Sequence, residues 1–499
     1  MKMTQQSIRL LAGIGPIFAF PVLIAIVTVM SGCTVGSTYQ RPEATTIPEA
    51  YTGVSDEWKV AVPQAHLPKG DWWEIFGDPE LSRLENEAAE ANQDLKAAYA
   101  RFNQARAVAD VARSGLFPYL RGSFQAVEQH DSENRPVGGK PGKTYDTFTA
   151  PFDFSYEFDL WGRVRRSIES ATAQVEGVAD DVESVRLAVQ AEVAADYFTI
   201  RALDADRALL LSSIEVYRRS LALVRNRRAG GMVSDLDVAQ AETVLGNTEA
   251  QLPDNALQRA KFEHALAVLT GKNASLFHLA ERPLELGPLV VPAELPSSLL
   301  ERRPDIAAAE RRMAAANANI GVATAAFFPT IKFGGQAGFW GGDLNANRDM
   351  SNLFEWPSRF WAVGPSLTFP LFEGGRLGAN LRQTKAAYEE TVARYRQTVL
   401  TAFAEVENNL AAEHLLASQY EQVMGALKAA RKQLEIANTR YGAGLVTYLE
   451  VATAQNTTLG IERSSMRLRG QQLAAAVALI KSLGGGWQVT DKKGERGVE

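Results

Sequence analysis

Cysteine is almost missing from this chain: one thiol, Cys33, stands among 499 residues, so no disulfide within the chain can brace the fold. Histidine is nearly as scarce. His66, His130, His264, His278 and His414 are scattered without metal-ligand spacing, and neither an H-E-x-x-H nor a G-x-S-x-G pattern occurs, so no metal site and no enzyme is expected. Charge of one sign is lacking too, with 52 Lys and Arg against 58 Asp and Glu and a formal net charge of −6. A nucleic-acid partner would need concentrated basic residues, so that class is set aside. The short basic runs Arg218-Arg219 and Arg225 to Arg228 sit in helical patterns and read as solvated faces. Beyond Cys33 no stretch approaches the roughly 18 uninterrupted apolar residues that a spanning helix needs. If the mature chain crosses a membrane, it must do so with β-strands.

Two glycine-bearing segments imitate nucleotide loops and fail. Gly142-Lys143-Thr144 has Val137 where the first glycine of a phosphate loop should stand, and it joins two strands. Gly442-Ala443-Gly444 lacks a third glycine and a preceding strand, and it ends a helical run, where glycine commonly sits.

The N-terminus carries a positive signal. Lys2 and Arg9 precede an apolar run from Leu10 to Met30, which closes on Met30-Ser31-Gly32-Cys33. This resembles a bacterial lipoprotein signal, in which Cys33 is lipidated and becomes the mature N-terminus. A transmembrane helix with a chance cysteine is the alternative, but Gly13, Gly15, Pro16 and Pro21 interrupt the run. Thr34, not aspartate, follows the cysteine, which by the lipoprotein sorting rule implies passage to the outer membrane.

The rest of the chain is one unit written twice. Leu116-Phe117-Pro118 recurs as Phe327-Phe328-Pro329, each ending a helical run and opening an alternating stretch. Gly231, Val233, Leu236, Val238, Ala239 and Ala241 recur, at one constant offset, as Gly444, Val446, Leu449, Val451, Ala452 and Ala454. Each half reads helix, two strands, long helix, tight glycine turn, helix. Between them, Gly271 to Pro296 carries Pro283, Pro288 and Pro292 and reads as a linker or small intermediate layer.

Val164, Ile168, Ala171, Val175, Val178, Val182, Val185 and Val189 step by four and three, a coiled-coil seam; Tyr388, Val392, Tyr395, Val399, Ala402 and Val406 do the same in the second half. Helical patterning runs from about Gly162 to Ala229 and from about Arg376 to Tyr441. At ~1.5 Å per residue each helix would be on the order of 100 Å long, a length for a rod or a tube wall. Pro253 should kink or break the returning helix of the first half, whereas its counterpart Met466 should not.

In the strand regions Phe148, Ala150, Phe152, Phe154, Tyr156, Phe158 and Leu160 share one face against Thr149, Asp153, Ser155, Glu157 and Asp159. Trp361, Val363, Leu367, Phe369 and Leu371 likewise oppose Ala362, Gly364, Ser366 and Thr368. Such dyads fit barrel strands with a lipid face and a wet face, or a soluble sheet packed on helices. The partner strands, near Pro118 to His130 and Pro329 to Trp340, alternate less cleanly. Four strands in hydrocarbon would leave two unpaired edges, and the smallest bacterial barrels have about eight strands, so closure requires more than one chain. A dimer would supply eight strands and a trimer twelve.

Several motifs, in order on this duplicated frame, resemble the outer-membrane factor (TolC/OprM-like) family, in its NodT-type lipoprotein branch that partners RND efflux pumps. They are Tyr39-Gln40-Arg41-Pro42, Trp72-Trp73-Glu74-Ile75-Phe76-Gly77-Asp78-Pro79, Phe158-Asp159-Leu160-Trp161-Gly162-Arg163, Arg302-Arg303-Pro304-Asp305-Ile306 and Leu483-Gly484-Gly485-Gly486-Trp487. The resemblance implies a mixed α/β membrane fold: a homotrimer whose four strands per chain close a twelve-stranded outer-membrane barrel, continued by a periplasmic tunnel of coiled-coil helices. It implies docking to a periplasmic adaptor and an inner-membrane RND pump, and no cofactor apart from the covalent lipid on Cys33. It also implies a gate where the long helices turn. Leu449 matches an occluding leucine, Glu450 an acidic ring position and Tyr441 a lock tyrosine, while Leu236 and Asp237 are the first-half equivalents of Leu449 and Glu450. Thr453 stands where the family's second acidic ring position carries aspartate, a departure that weakens any expectation of tight cation binding.

The expected organisation is a signal peptide at 1–32, a lipidated extension at 33–78, a first repeat at 79–270, a linker at 271–296, a second repeat at 297–484 and a tail at 485–499. The expected function is a passive exit duct for drugs, organic compounds or metal ions. A duct for type I protein secretion and a periplasmic coiled-coil adaptor without a barrel are the alternatives.

Overall fold

The computed structural model describes residues 34–43, 70–134, 142–283, 303–343 and 350–485. Cys33 and the preceding signal, linker residues 284–296 and Trp487 lie outside the described residues. In chain order the elements are a 3-10 turn Trp72–Phe76, α1 Pro79–Ala91, α2 Gln93–Ser114, β1 Tyr119–Gly122, β2 Gln125–His130, β3 Thr144–Phe158, α3 Arg163–Ala229, α4 Asp235–Glu249 and α5 Gln251–Leu269. After a 3-10 turn Ala274–Leu276 come α6 Pro304–Ala325, β4 Thr330–Asp343, a 3-10 turn Trp356–Ser358, β5 Arg359–Thr368, α7 Arg376–Gly442 and α8 Tyr448–Ser482. The repeat is therefore real in three dimensions, and α3 and α7 are both 67 residues long. The halves part where proline predicts: the first returning helix breaks at Ala250, with Pro253 in the first turn of α5, while α8 runs unbroken. No described helix is long and apolar enough to cross a membrane.

The chain groups into two compact units, each drawing on both repeats: Met1–Pro42, Asn103–Glu176 and Glu310–Ala393 in the first, Glu43–Phe102, Gly177–Ala309 and Arg394–Glu499 in the second.

The first unit holds the sheet. All pairings are antiparallel, in the order β1-β3-β4-β5, with β2 also on β3. β1 and β2 tile a single edge position, broken at residues 123–124, where the Ser123 amide still donates to the Pro151 carbonyl at 3.0 Å. That break explains the poor alternation there. The sheet is thus four positions wide, with β5 at the other edge. Strands β3 and β5 end at Phe158 and Thr368, short of the Leu160 and Leu371 to which the alternation extends. At the first, Asp159 accepts from the Val164 and Arg165 amides and so caps α3; at the second, Pro370 cannot donate to a ladder.

Register sorts the faces. Cross-strand partners share a face, so Leu120, Phe154, Gly335 and Val363 line up across four strands, as do Gly122, Phe152, Ala337 and Trp361. Ile331, Phe158 and Leu367 continue the apolar side. The opposite face carries Arg121, Asp153 and Gln336 in one row and Glu157, Lys332 and Ser366 in another, with Gln336 donating to Asp153 at 2.8 Å. Among the described residues no helix covers the apolar side: Leu120, Phe152, Trp361, Val363 and Leu367 are all exposed.

The chain that follows Cys33 lies against this unit. The Val35 amide donates to the Trp161 carbonyl at 3.1 Å, Tyr39 donates to Glu310 at 2.9 Å, and Asn317 donates to the Ser37 carbonyl. Gly162, at φ +78°, admits the contact, because a Cβ there would sit 2.6 Å from the Thr34 methyl.

The second unit contains the helix-rich remainder. The tryptophan motif forms the first 3-10 turn, with Trp72, Trp73 and Phe76 buried and the Phe76 ring 4.6 Å from Phe198. Asp78 caps α1, accepting from the Glu80 and Leu81 amides, from the Tyr197 hydroxyl at 2.6 Å and from Arg282. Burial and that carboxylate push the Tyr197 hydroxyl up to about 12. Glu85 on α1 is fully buried, and neither carboxylate oxygen has a hydrogen-bond partner among the described residues. Desolvation, reinforced by Asp71, holds its carboxyl well above the usual carboxylate range. A folded-state proton affinity above the unfolded one means stability that is complete at acid pH and declines as pH rises. Glu85→Gln should therefore stabilise the protein at neutral pH and flatten that slope, as read by urea unfolding at several pH values. Equal slopes for both proteins would refute the assignment.

Candidate functional site at the paired helix turns

The turns α3–α4 and α7–α8 are built alike. In the first, the Met232 amide donates to the Arg227 carbonyl and Gly231 to Arg228; in the second, Leu445 donates to Arg440 and Gly444 to Tyr441. Each is a Schellman closure, and the left-handed glycines Gly231 (φ +71°) and Gly444 (φ +74°) make it possible. The helices below share one core: Tyr217, Leu221 and Val224 of α3, Ala241 and Val244 of α4, Ala437 and Tyr441 of α7, and Tyr448, Val451 and Ala454 of α8. Even the flanking ion pairs repeat. Arg218 meets Glu249 as Arg431 meets Glu462, each at 2.7 Å.

The equivalence fails at the acids. Asp237 makes a capping box with Ser234, and its second oxygen accepts the Tyr448 amide at 3.1 Å, in place of a side-chain cap from Thr447. One carboxylate thus closes the N-termini of both α4 and α8. Burial alone would raise the Asp237 carboxyl, but the Ser234 hydroxyl and amide and the Tyr448 amide outweigh it and hold it below the ordinary aspartate value. Glu450 is exposed instead and pairs with Arg440 at 3.5 Å.

The arginines diverge in the same way. Arg227, the counterpart of Arg440, crosses to the other turn and donates to the Tyr441 carbonyl at 2.9 Å and the Gly442 carbonyl at 3.1 Å. Its guanidinium also lies over the Tyr441 ring, 4.9 Å from the centroid. Tyr441 itself is 6% exposed, edge-on to Tyr448 at 5.5 Å, and its hydroxyl finds no hydrogen-bond partner among the described residues. Burial raises its pKa.

Leu449, Glu450 and Thr453 of α8 come together on an exposed groove of about 760 Å³ with Ile436, Arg440 and Lys432 of α7. Leu236, at the start of α4, is exposed as well. The sequence-derived residues therefore divide. Leu449, Glu450 and Thr453 form one solvent-facing patch, while Tyr441 and Asp237 join the two turns from within. Arg227, read from the sequence as part of a solvated basic run, instead ties one turn to the other, and the repeat gave no hint of it because its equivalent, Arg440, pairs with Glu450. No cluster of potential metal ligands occurs among the described residues.

The sequence pattern of the outer membrane efflux protein family matches residues 84–272 and again residues 295–485, one match in each half. The chain is 34% identical over 428 residues to the pyoverdine export outer membrane protein OpmQ of Pseudomonas aeruginosa, covering 85% of this chain and 88% of that one. It is 32% identical over 468 residues to the solvent efflux pump outer membrane protein SrpC of Pseudomonas putida, covering 92% and 97%. Among solved structures, it resembles the Campylobacter jejuni CmeC outer membrane channel with a TM-score of 0.82 and 25% identity, over 92% of this chain and 96% of that one.

Proposed function

Because the chain belongs to the outer membrane efflux protein family, we propose that three copies close one barrel and one tunnel, with the paired helix turns as the gate. The protein is an outer-membrane channel component of an efflux system. The observation that carries the assembly is the four-position sheet with one exposed apolar face and, among the described residues, two open edges. In hydrocarbon each unpaired backbone group costs several kcal/mol, and three such sheets supply twelve strands without an edge.

The inner-membrane partner in this reading is an RND-type pump, joined through a periplasmic adaptor. The cargo class is small molecules, in keeping with relatives named for pyoverdine and solvent export. Lipidation of Cys33 fits the seating of Thr34 against Gly162, four residues after the end of β3, which would hold the lipid near the base of the sheet. Deleting the gene and measuring susceptibility to organic solvents, dyes and antibiotics tests the export role: increased sensitivity, restored by the intact gene, is expected. Unchanged sensitivity with loss of a secreted protein would favour type I secretion.

At the gate, Leu449, Glu450 and Thr453 line the passage, while Asp237, Arg227 and Tyr441 keep the two turns of a chain together. Carboxylates gathered around one axis favour cations. Glu450→Gln should therefore weaken block by divalent cations in planar bilayers without raising the resting open fraction. Asp237→Asn keeps one acceptor oxygen where two are used, so it can serve only one of the two helix starts, a loss of about 1 kcal/mol, and should raise the open fraction. Asp237 has a depressed pKa, so its link is intact at neutral pH and is lost as pH falls through the carboxylate range. Acid should accordingly open the parent channel, and the Asp237→Asn variant should respond less. If both variants conduct and discriminate like the parent, the gate is elsewhere.

A further inference from the structure

At the loop end of the apolar sheet face stands an arginine. Arg359 opens β5 and pairs in register with Phe339, which is itself opposite Ala150, so it leaves the sheet on the side of Phe152, Trp361 and Val363. Residues 350–358 fold back onto this rim. Leu353 is buried, Asn352 donates to the Gly342 carbonyl at 3.1 Å, and the Ser358 hydroxyl donates to the Asn352 carbonyl at 2.6 Å. Gly341 permits the approach, since a Cβ there would lie 2.7 Å from the Leu353 Cα. The result places Phe354 edge-on to Phe339 at 5.6 Å and Trp356 beneath the Arg359 guanidinium at 4.0 Å. Arg359 also donates to the Trp356 carbonyl at 2.8 Å. No carboxylate pairs with this guanidinium among the described residues, although Glu355 lies on the same segment. Phe354, Trp356 and Trp361 are 69%, 73% and 73% exposed.

A cation on the lipid side of a barrel is costly at mid-depth and tolerated only near the headgroups. Arg359 meets that condition, at the end of the strand farthest from the helices and within a tryptophan-rich rim of the kind that sits at headgroup level. There a guanidinium with no carboxylate partner among the described residues favours an anionic ligand. The guanidinium is a planar fork that binds phosphate with two parallel hydrogen bonds, and stacking on Trp356 fixes its plane before any ligand arrives. The exposed rings beside it offer apolar surface to acyl chains. We propose that Arg359, Trp356 and Phe354 form a binding site for the phosphate-bearing headgroup of an outer-leaflet glycolipid. This rests on the outer-membrane reading, and the glycolipid clamps the β4–β5 hairpin at the barrel rim.

The test uses the full-length protein purified in neutral detergent, with native mass spectrometry counting retained lipid. The probes are a bisphosphorylated glucosamine lipid, the same lipid without its phosphates, and inorganic phosphate. Parent protein should retain the bisphosphorylated lipid, and Arg359→Gln should weaken retention by at least about tenfold, the size of one charge-assisted contact. Arg359→Lys should fall between, because it keeps charge without the fork. Equal retention by Arg359→Gln, equal binding of the dephosphorylated lipid by the parent, or full displacement by inorganic phosphate would each overturn the proposal. Single-channel recording of the same samples keeps the two readings apart. Normal conductance with no lipid selectivity rejects the site alone, whereas a parent that never conducts rejects the outer-membrane duct.

Discussion

Asp204→Ala is expected to destabilise the protein by about 3–5 kcal/mol per chain, because it strands two buried arginines. The Asp204 side chain is 1% exposed, and those of Arg201 and Arg259 are 4% and 8% exposed. One carboxylate oxygen accepts from Arg259 at 2.7 Å; the other accepts from Arg201 and from the Arg282 amide, both at 3.0 Å. Each guanidinium also holds a carbonyl of the segment after α5: Arg201 takes Ala280 and Arg259 takes Leu279, both at 2.7 Å. The carboxylate therefore fixes residues 279–282 to α3 and α5. Removing it leaves two desolvated cations without their shared counterion, Arg201 with the Ala280 carbonyl and the Tyr197 ring 4.7 Å away, Arg259 with the Leu279 carbonyl and Glu263. Asp204→Asn keeps the shape and some hydrogen bonding, so a smaller loss is expected. Urea or thermal unfolding of detergent-purified protein reads both. A loss for Asp204→Ala of less than about 0.5 kcal/mol, the size of a surface substitution, would mean that the network is not holding this region.

Ala337→Arg should have a comparably large effect by an unrelated route. Ala337 lies mid-strand on β4, opposite Phe152 and Trp361, on the apolar face. If that face meets hydrocarbon, an arginine there costs about 2–4 kcal/mol in each chain. Its neighbour Gln336 points to the other face and already donates to Asp153 at 2.8 Å. Gln336→Arg should therefore be tolerated, since its guanidinium can meet the same carboxylate in water. The pair differs by one position and by nothing else in charge or strand. Recovery of the oligomer from membranes should collapse for Ala337→Arg and persist for Gln336→Arg. The reverse order, or equal recovery, would mean that the lipid face has been assigned to the wrong side.

The parts of this architecture that repeat or alternate were visible in the residues. The heptad steps ending at Tyr395, Val399, Ala402 and Val406 became four fully buried positions on α7. The Pro253 break and the two glycine turns followed from local backbone chemistry. The aromatic dyads of β3 and β5 resolved into one apolar face once register was known. What escaped depends on partners far away in the chain. Asp237 and Glu450 occupy equivalent positions, yet one caps the opposite helix and the other faces solvent, and no periodicity separates them. Arg227 and Arg440 diverge for the same reason. The tryptophan motif was recognisable by resemblance, but its physical task, burying Trp72, Trp73 and Phe76 and presenting Asp78 as a helix cap, appears only when Tyr197 and Arg282 are brought to it. Asp204 and Glu85 gave no local signal at all, because burial of a carboxylate is a property of the packed helices around it.

The most direct test of the shared wall is the mass of the particle extracted in mild detergent, measured by native mass spectrometry. Three chains are expected in one complex that falls apart only when the detergent is stripped or the sheet is unfolded. A single chain, stable in buffer without detergent, would contradict a shared wall.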